Sequence, residues 1–557
     1  MVLINLERRS LRTVCSEVFA LVISAFVYSL AFPGFFLEHG IGALAFISLI
    51  PVFIVIRNTS WKLIAPYGFL FGFVFYVIFN YWLKTFHPLA ILIMPFIKGF
   101  EMILLFPVLK LADSLFRKKG YIVQSIVWVA YAYLCEQWFA GFPYGTICYA
   151  VYSFLPFIQI AEITGAWGIV FLMIFPQAFI ARYLHDYIKG EHYPFISFIK
   201  SNLIEAVVYV VLLALTFAFG FSRISYWSDR EPERVWKVAT VQHNHDSWEG
   251  GLPTYIRNFN NLRRYTLEAV TRSPDIVVWS ETAFIPSIDW NMRFQYPGNE
   301  GMRNLISEFV AFGEGLSVPL LTGNADGEPK YPDKGPFLED GSQNRDDYNS
   351  VILFDDGSIV EKYRKQHLVP FTEHFPYERQ LPWLYNMLKA NGYHWWEKGT
   401  EPVVFETDGV KFSTPICFED VFGVISAEFV ANGADLIINM TNDSWSQSIA
   451  AERQHQEIAT FRSIETRKSM VRGTNSGITC LVTPEGRVHD EMEPFTMGYN
   501  IYDVPIYTHD DNPDTFYVRH IDLFGKMAVY ASVVILVAGC ISKVVEFVQR
   551  RRRKEND

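Results

Sequence analysis

The chain is 557 residues long, half of them hydrophobic and 16% aromatic, with 19% charged and a formal net charge of −10. That length exceeds one hydrophobic core, and that composition is too apolar for an ordinary soluble enzyme. The acidic balance, with no basic stripe interleaved with aromatics, excludes nucleic acid as a partner. Six cysteines are present; Cys15, Cys135, Cys148 and Cys540 lie in or beside apolar runs, and only Cys417 and Cys480 fall in the polar region. No CxxC and no Cys/His spacing suited to zinc occurs, which argues against a disulfide framework and against a metal site.

Apolar stretches near 15–33, 39–56, 63–83, 88–115, 121–139, 161–183, 202–222 and 524–543 each read as a membrane-crossing helix, for which about 20 residues suffice. Arg8, Arg9 and Arg12 precede the first, as in a signal segment. No small-residue cleavage pattern follows it, so it reads as a retained span. Basic residues recur at every second loop: Arg57 and Lys62, Arg117 to Lys119, Arg182, Lys189 and Lys200, then Arg550 to Lys554. The loops near 34–38, 84–87 and 140–160 carry almost none. The positive-inside rule then places both termini in the cytoplasm and the polar segment between spans seven and eight outside it. Lys98 and Glu101 lie inside the fourth stretch at a spacing that allows mutual neutralisation.

The polar segment, about 235–507, reads as an α/β domain. Strand-like runs occur at Val235–Val241, Asp275–Trp279, Val318–Thr322, Ser350–Phe354, Val410–Ile416 and Leu436–Met440, with turn signals such as Asp355-Asp356-Gly357 between some of them. Helical patterns occupy 255–272, 300–312 and 450–468, and 324–348 reads as a surface loop. The expected organisation is a membrane domain over 1–224, a catalytic domain over 235–507, and a closing span over 520–545 with a basic cytoplasmic tail to 557.

Three places put a reactive side chain at the end of an apolar run: Glu281 after Asp275-Ile-Val-Val-Trp-Ser, Lys365 in Glu361-Lys-Tyr-Arg-Lys-Gln-His-Leu-Val-Pro-Phe, and Cys417 in Thr-Pro-Ile-Cys-Phe-Glu-Asp. A thiol nucleophile needs a base for its proton and a cation or amide for the oxyanion. Glu supplies the first and Lys the second, and the lysine also favours thiolate. Each residue has a plainer reading: a helix cap for Glu281, a solvated cluster with Lys362 and Arg364 for Lys365, a core thiol for Cys417. His367 allows a Cys/His pairing, and Cys480 reads as core. The aromatic stretch 381–396, with Trp383, Trp395 and Trp396, suits a bilayer interface and reads as a lid.

The words Trp279-Ser-Glu-Thr-Ala, Lys362 to Pro376 (KYRKQHLVPFTEHFP), Pro415-Ile-Cys-Phe-Glu-Asp and Asn442-Asp-Ser-Trp stand in the order of the nitrilase superfamily. Together with VRGTNSGIT at 471–479 and GFPYG at 141–145, the whole chain resembles the membrane-bound branch of that superfamily, the apolipoprotein N-acyltransferases. The resemblance implies an eight-span helical bundle carrying an extracytoplasmic αββα nitrilase-like sandwich. It implies Glu281 as general base, Lys365 as oxyanion cation and Cys417 as nucleophile, with Glu373 and Glu419 in support and, more loosely, Trp248 at substrate access. Phe418 stands where the family often has Tyr, so a hydroxyl contact is lost there. NDSWSQS replaces the usual Asn-Asp-Ala-Trp-Phe-Gly, and VQHNHDSW is more polar than the family's opening strand.

The implied activity is ping-pong acyl transfer without metal or cofactor. A membrane glycerophospholipid donates an acyl chain to Cys417, and the free α-amino group of a diacylated apolipoprotein accepts it. The implied location is a bacterial inner membrane, with the catalytic domain on the outer, periplasmic face of a monomer. Two other functions fit the same words: a membrane-tethered amide hydrolase, in which water takes the second step, and a catalytically dead lipid transporter or scaffold.

Overall fold

A computed structural model describes residues 10–85, 90–138, 141–391 and 393–556. It divides into two compact units, one of Met1–Ser225, Arg453–Glu457 and Asp522–Asp557, the other of Tyr226–Glu452 and Ile458–Ile521.

The first unit is helical. Five described helices are long and apolar enough to cross a membrane: Leu11–Ser29, Ala90–Phe116, Ala166–Ile188, Leu203–Asp229 and Leu523–Glu555. The sequence reading expects eight spans, and the three remaining stretches form shorter or more polar helices for local reasons. The second stretch breaks into a 3-10 turn, Gly42–Phe46, and a short helix, Ile50–Asn58. Gln177 bonds that break, accepting the Leu49 N–H at 2.8 Å and donating to the Ala45 carbonyl at 3.0 Å. The third stretch forms only the 16-residue helix Ile64–Phe79. The fifth, Gly120–Gln137, buries Gln124, Ser125 and Glu136. Lys98 and Glu101 meet at 3.0 Å, the pairing their spacing allows. Two carbonyls of GFPYG are capped by tyrosines: Tyr28 donates to Gly145 at 2.7 Å and Tyr76 to Tyr144 at 3.2 Å.

The second unit holds twelve strands: β1 Arg234–Gln242, β2 Ile276–Trp279, β3 Leu320–Glu328, β4 Asp346–Asp355, β5 Ser358–Arg364, β6 Val404–Thr407, β7 Val410–Ser413, β8 Leu436–Thr441, β9 Ser469–Thr474, β10 Cys480–Val482, β11 Val488–His489 and β12 Gly498–Ile506. They form two six-stranded sheets, ordered β12-β1-β2-β3-β4-β5 and β11-β10-β9-β8-β7-β6. Each has a parallel centre, β1-β2-β3 or β7-β8-β9, flanked by antiparallel strands. Central β2 reads as a continuous apolar run because both of its faces are covered.

Phe259 and Leu262 of helix Leu252–Val270, with Leu305 and Phe309 of helix Glu300–Glu314, pack on Val277, Trp279 and Ile352 of the first sheet. Ala459 of helix Ile449–Thr466 packs on Ile437, Met470 and Cys480 of the second. The inner faces meet at Trp236 and Phe412, with ring centroids 5.7 Å apart. This is the expected αββα sandwich. The loop expected over 324–348 is shorter, because β3 continues to Glu328 and pairs there with Asp346. Backbone pairing carries that hairpin, so its polar and glycine residues give no strand pattern.

Candidate active site

Parallel strands that end together bring the residues that follow them to one edge of the sandwich. Glu281 lies just past β2, Lys365 just past β5, and Cys417 past β7. The turn holding Glu281 sits against β3. A Cβ at Gly323 would come within 2.3 Å of the Thr282 amide nitrogen, so only glycine admits this approach. On the other side, Gly399 lets a loop cross the end of β5 and donate its N–H to the Lys365 carbonyl at 2.8 Å.

Lys365 is 1% exposed. Its ammonium lies 3.3 Å from Glu281 Oε1 and 2.9 Å from Glu373. Asn349, on β4, donates through one amide nitrogen to both carboxylates, at 2.8 Å to Glu281 and 3.1 Å to Glu373. The second oxygen of Glu281 accepts the backbone N–H of Asn442 at 2.9 Å, and that of Glu373 accepts Val369 N–H at 2.8 Å. Glu373 therefore closes the turn of the lysine motif while holding the ammonium.

Cys417 opens a 3-10 turn, Cys417–Val421, and is 8% exposed. Its φ of +48° is unusual for a residue with a side chain, and such conformations persist where surrounding structure enforces them. Glu419 is the enforcing group. Its Oε2 accepts Ile416 N–H at 2.7 Å, immediately before the thiol. Its Oε1 accepts Gln366 N–H at 2.8 Å, His367 N–H at 2.9 Å and the Tyr363 hydroxyl at 2.8 Å. One buried carboxylate thus staples the turn of Cys417 to the lysine loop.

The electrostatics follow from two acids and one ammonium in a dry setting. Burial, with Glu373 alongside, raises the Glu281 carboxyl above the ordinary range despite Lys365. Burial opposes the Lys365 charge, yet Glu281 and Glu373 outweigh it and hold the ammonium well above the usual lysine range. Burial and Glu281 push the Cys417 thiol well up, against a downward pull from Lys365. Lys365 thus pulls the thiol in the direction expected of it, and burial and Glu281 outweigh that pull. Burial also raises Glu419.

The remaining sequence candidates separate. His367 does not serve as a resting base: burial lowers its pKa to about 4, and its ring packs on Phe422 at 4.2 Å. Phe418 is buried and meets Phe422 edge-on at 5.1 Å. Trp248 is 58% exposed, and Trp383, in the short helix Pro382–Ala390, is 66% exposed. Trp395 instead stacks on Tyr385 at 5.0 Å, and Trp396 bonds through its backbone to the Glu373 carbonyl at 2.9 Å. The 381–396 stretch is thus partly packed and partly exposed. Among the described residues, no group of three His, Cys, Asp or Glu side chains is arranged to hold a metal ion. Sequence reasoning missed Asn349, and it quoted Tyr363, Asn442 and Asn475 only inside longer motifs. The one signal for Asn349, Asn442 and Asn475 is a polar residue within an otherwise apolar strand or at its end.

Paired sheets between helices, with an acid, a lysine and a thiol past their strand ends, define a carbon-nitrogen hydrolase domain, and that family's pattern matches residues 237–509. The pattern of the apolipoprotein N-acyltransferase N-terminal domain matches residues 24–179. Apolipoprotein N-acyltransferase 1 of Treponema denticola is 36% identical over 96% of this chain and 97% of its own length. The protein of the same name from Treponema pallidum is 35% identical over 95% and 96%. The nitrilase-superfamily protein Nit3 of Saccharomyces cerevisiae overlays 50% of this chain and 92% of its own with a TM-score of 0.34 at 16% identity. The chain belongs to the apolipoprotein N-acyltransferase family.

Proposed function

We propose that the chain transfers an acyl group from a membrane glycerophospholipid to the free α-amino group of a diacylated apolipoprotein, through a thioester on Cys417. Glu281 takes the thiol proton as sulfur attacks an ester carbonyl of the lipid. Lys365 and nearby backbone N–H groups hold the oxyanion, a role that favours a buried, permanently charged cation. The C–O bond breaks, Glu281 returns the proton to the departing lysophospholipid, and the acyl-enzyme remains. The lipoprotein amine then attacks the thioester, Glu281 accepts an amine proton and passes it to the thiolate, and the amide product leaves. Glu373 and Glu419 act as supports, the first on Lys365 and the second on the turn of Cys417.

The observation that carries this reading is the buried Lys365, 3.3 Å from Glu281 and linked through Glu419 to the turn of Cys417, in a chain whose family acts on lipoproteins. The exposed Trp248 and Trp383 suit the approach of lipid substrates. On this reading the chain sits in a bacterial inner membrane as a monomer, and the alternating basic loops support cytoplasmic termini with an outward-facing catalytic unit over 235–507.

Intact-protein mass spectrometry tests the reading. Incubated with phospholipid alone, wild type is expected to gain one acyl mass, which Cys417→Ala never gains. A diacylated lipopeptide amine should then remove it and appear N-acylated. If wild type instead stays unmodified by phospholipid while remaining folded, the acyl-transfer reading fails and the amide-hydrolase class of activity is favoured.

A further inference from the structure

Glu281 is gripped from two sides. Oε1 faces Lys365 and Asn349, and Oε2 depends on a single peptide, the N–H of Asn442. That peptide is fixed in turn by its own side chain. Asn442 Oδ1 accepts from Asn475 Nδ2 at 2.9 Å, from Ser444 Oγ at 2.8 Å and from Ser247 Oγ at 3.1 Å.

Asn475, just past β9, is fully buried, and both ends of its amide are used. Its Oδ1 accepts His245 N–H at 2.8 Å, and its Nδ2 donates to the His245 carbonyl at 2.7 Å as well as to Asn442. Its backbone joins the same knot, donating to the Thr441 carbonyl at 3.0 Å and accepting Asn244 N–H at 2.8 Å. A single side chain thereby ties three strand ends together: the segment after β1 that runs on to the exposed Trp248, the turn after β8 that holds Glu281, and its own turn. Buried amides satisfied this completely specify one arrangement, since any shift leaves a donor or acceptor bare.

We propose that Asn475 is a positioning residue for acyl transfer. It locks the Asn442 peptide against the second oxygen of Glu281 and couples that base to the 243–248 segment. This rests on Glu281 acting as general base. An N–H donated to a carboxylate favours its ionised form, and a general base must be ionised to work. Loosening the Asn442 peptide therefore raises the proton affinity of Glu281. The other groups facing Glu281, namely Lys365 and Glu373 on the lysine loop and the Cys417 thiol on its turn, are not bonded to Asn475.

The test is single-turnover acylation of Cys417 by phospholipid, followed by mass against pH, in full-length wild type, Asn475→Ala and Asn475→Leu. The leucine variant keeps the size and adds no charge while losing every side-chain bond of Asn475, so it carries the test if the alanine variant does not fold. In each variant the acidic limb is expected to move to higher pH. The rate near pH 6 should fall roughly tenfold more than the plateau rate, the weight of one pKa unit. A loss equal at every pH, with the limb unmoved, overturns the proposal and leaves Asn475 a purely structural residue. Failure of wild type itself to acquire an acyl mass overturns the parent reading, and this inference falls with it.

Discussion

Asn349 and Glu281 are joined by a 2.8 Å hydrogen bond, and the same amide nitrogen reaches Glu373 at 3.1 Å. Two carboxylates facing one ammonium tend to share a proton unless other donors favour the second charge. Asn349 is that donor. Asn349→Leu, close in volume, is expected to raise Glu281 further and move the acidic limb of acylation upward. The loss near pH 6 should be about tenfold beyond that at the plateau, one pKa unit's worth. KM for the phospholipid should change little. A rise in KM with the limb unmoved would count against this role.

The thiol gives a second test with a definite sign. Burial and Glu281 push Cys417 up while Lys365 pulls it down. Iodoacetamide alkylation of Cys417, read by peptide mapping apart from the exposed Cys15 and Cys540, should be slow at neutral pH and climb in the alkaline range. Glu281→Gln should start the climb at lower pH, and Lys365→Met at higher pH. The same profile in all three proteins would show that neither charge is felt at the sulfur.

Gly323 supports the turn of Glu281 mechanically. An added methyl would lie 2.3 Å from the Thr282 nitrogen and 2.6 Å from the Ser280 carbonyl oxygen, both backbone atoms with little freedom to yield. Gly323→Ala is expected to cost about 1–3 kcal/mol, the usual range for overpacking, and to displace Glu281. Thermal unfolding in detergent and acylation rate should fall together. Unchanged stability would mean that the turn can shift without strain.

What the sequence made legible follows from the length scale of each signal. Long apolar runs and motif words gave the two-part organisation, and fully buried strands such as Ile276–Trp279 stood out for the same reason. Polar edge strands such as Ser358–Arg364 did not, because backbone partners rather than side-chain pattern hold them. Where a stretch breaks was not legible, because apolarity alone does not show it, as the stretch bonded by Gln177 illustrates. In the site, charged groups in motif words were visible. Asn349 was not, since its role exists only once β4 is laid beside β5, with Lys365 N–H bonded to the Asn349 carbonyl at 2.8 Å. The resting state of the thiol was also illegible, because it depends on burial and on two acids that are distant in sequence.

Glu419 allows the most selective test of how the turn of Cys417 is held. Three donors converge on its Oε1 and one on its Oε2, the N–H of Ile416. In Glu419→Gln the amide oxygen will take the crowded position, so the NH2 group must face Ile416 N–H, donor against donor. The lysine loop then keeps its partners while the residue preceding Cys417 loses its own. The cost is expected to be roughly 1–3 kcal/mol, the penalty for a buried group left unsatisfied. Tyr363→Phe removes one donor of four and leaves the carboxylate and its Ile416 bond intact, so it should cost about 1.5–3 kcal/mol, the range for a hydrogen bond to a charged group, without moving the turn of Cys417. The acylation rate should fall much further in Glu419→Gln than in Tyr363→Phe, with alkylation of Cys417 altered only in the former. Equal effects of the two substitutions on rate and on alkylation would show that Glu419 stabilises the domain without setting the position of the thiol.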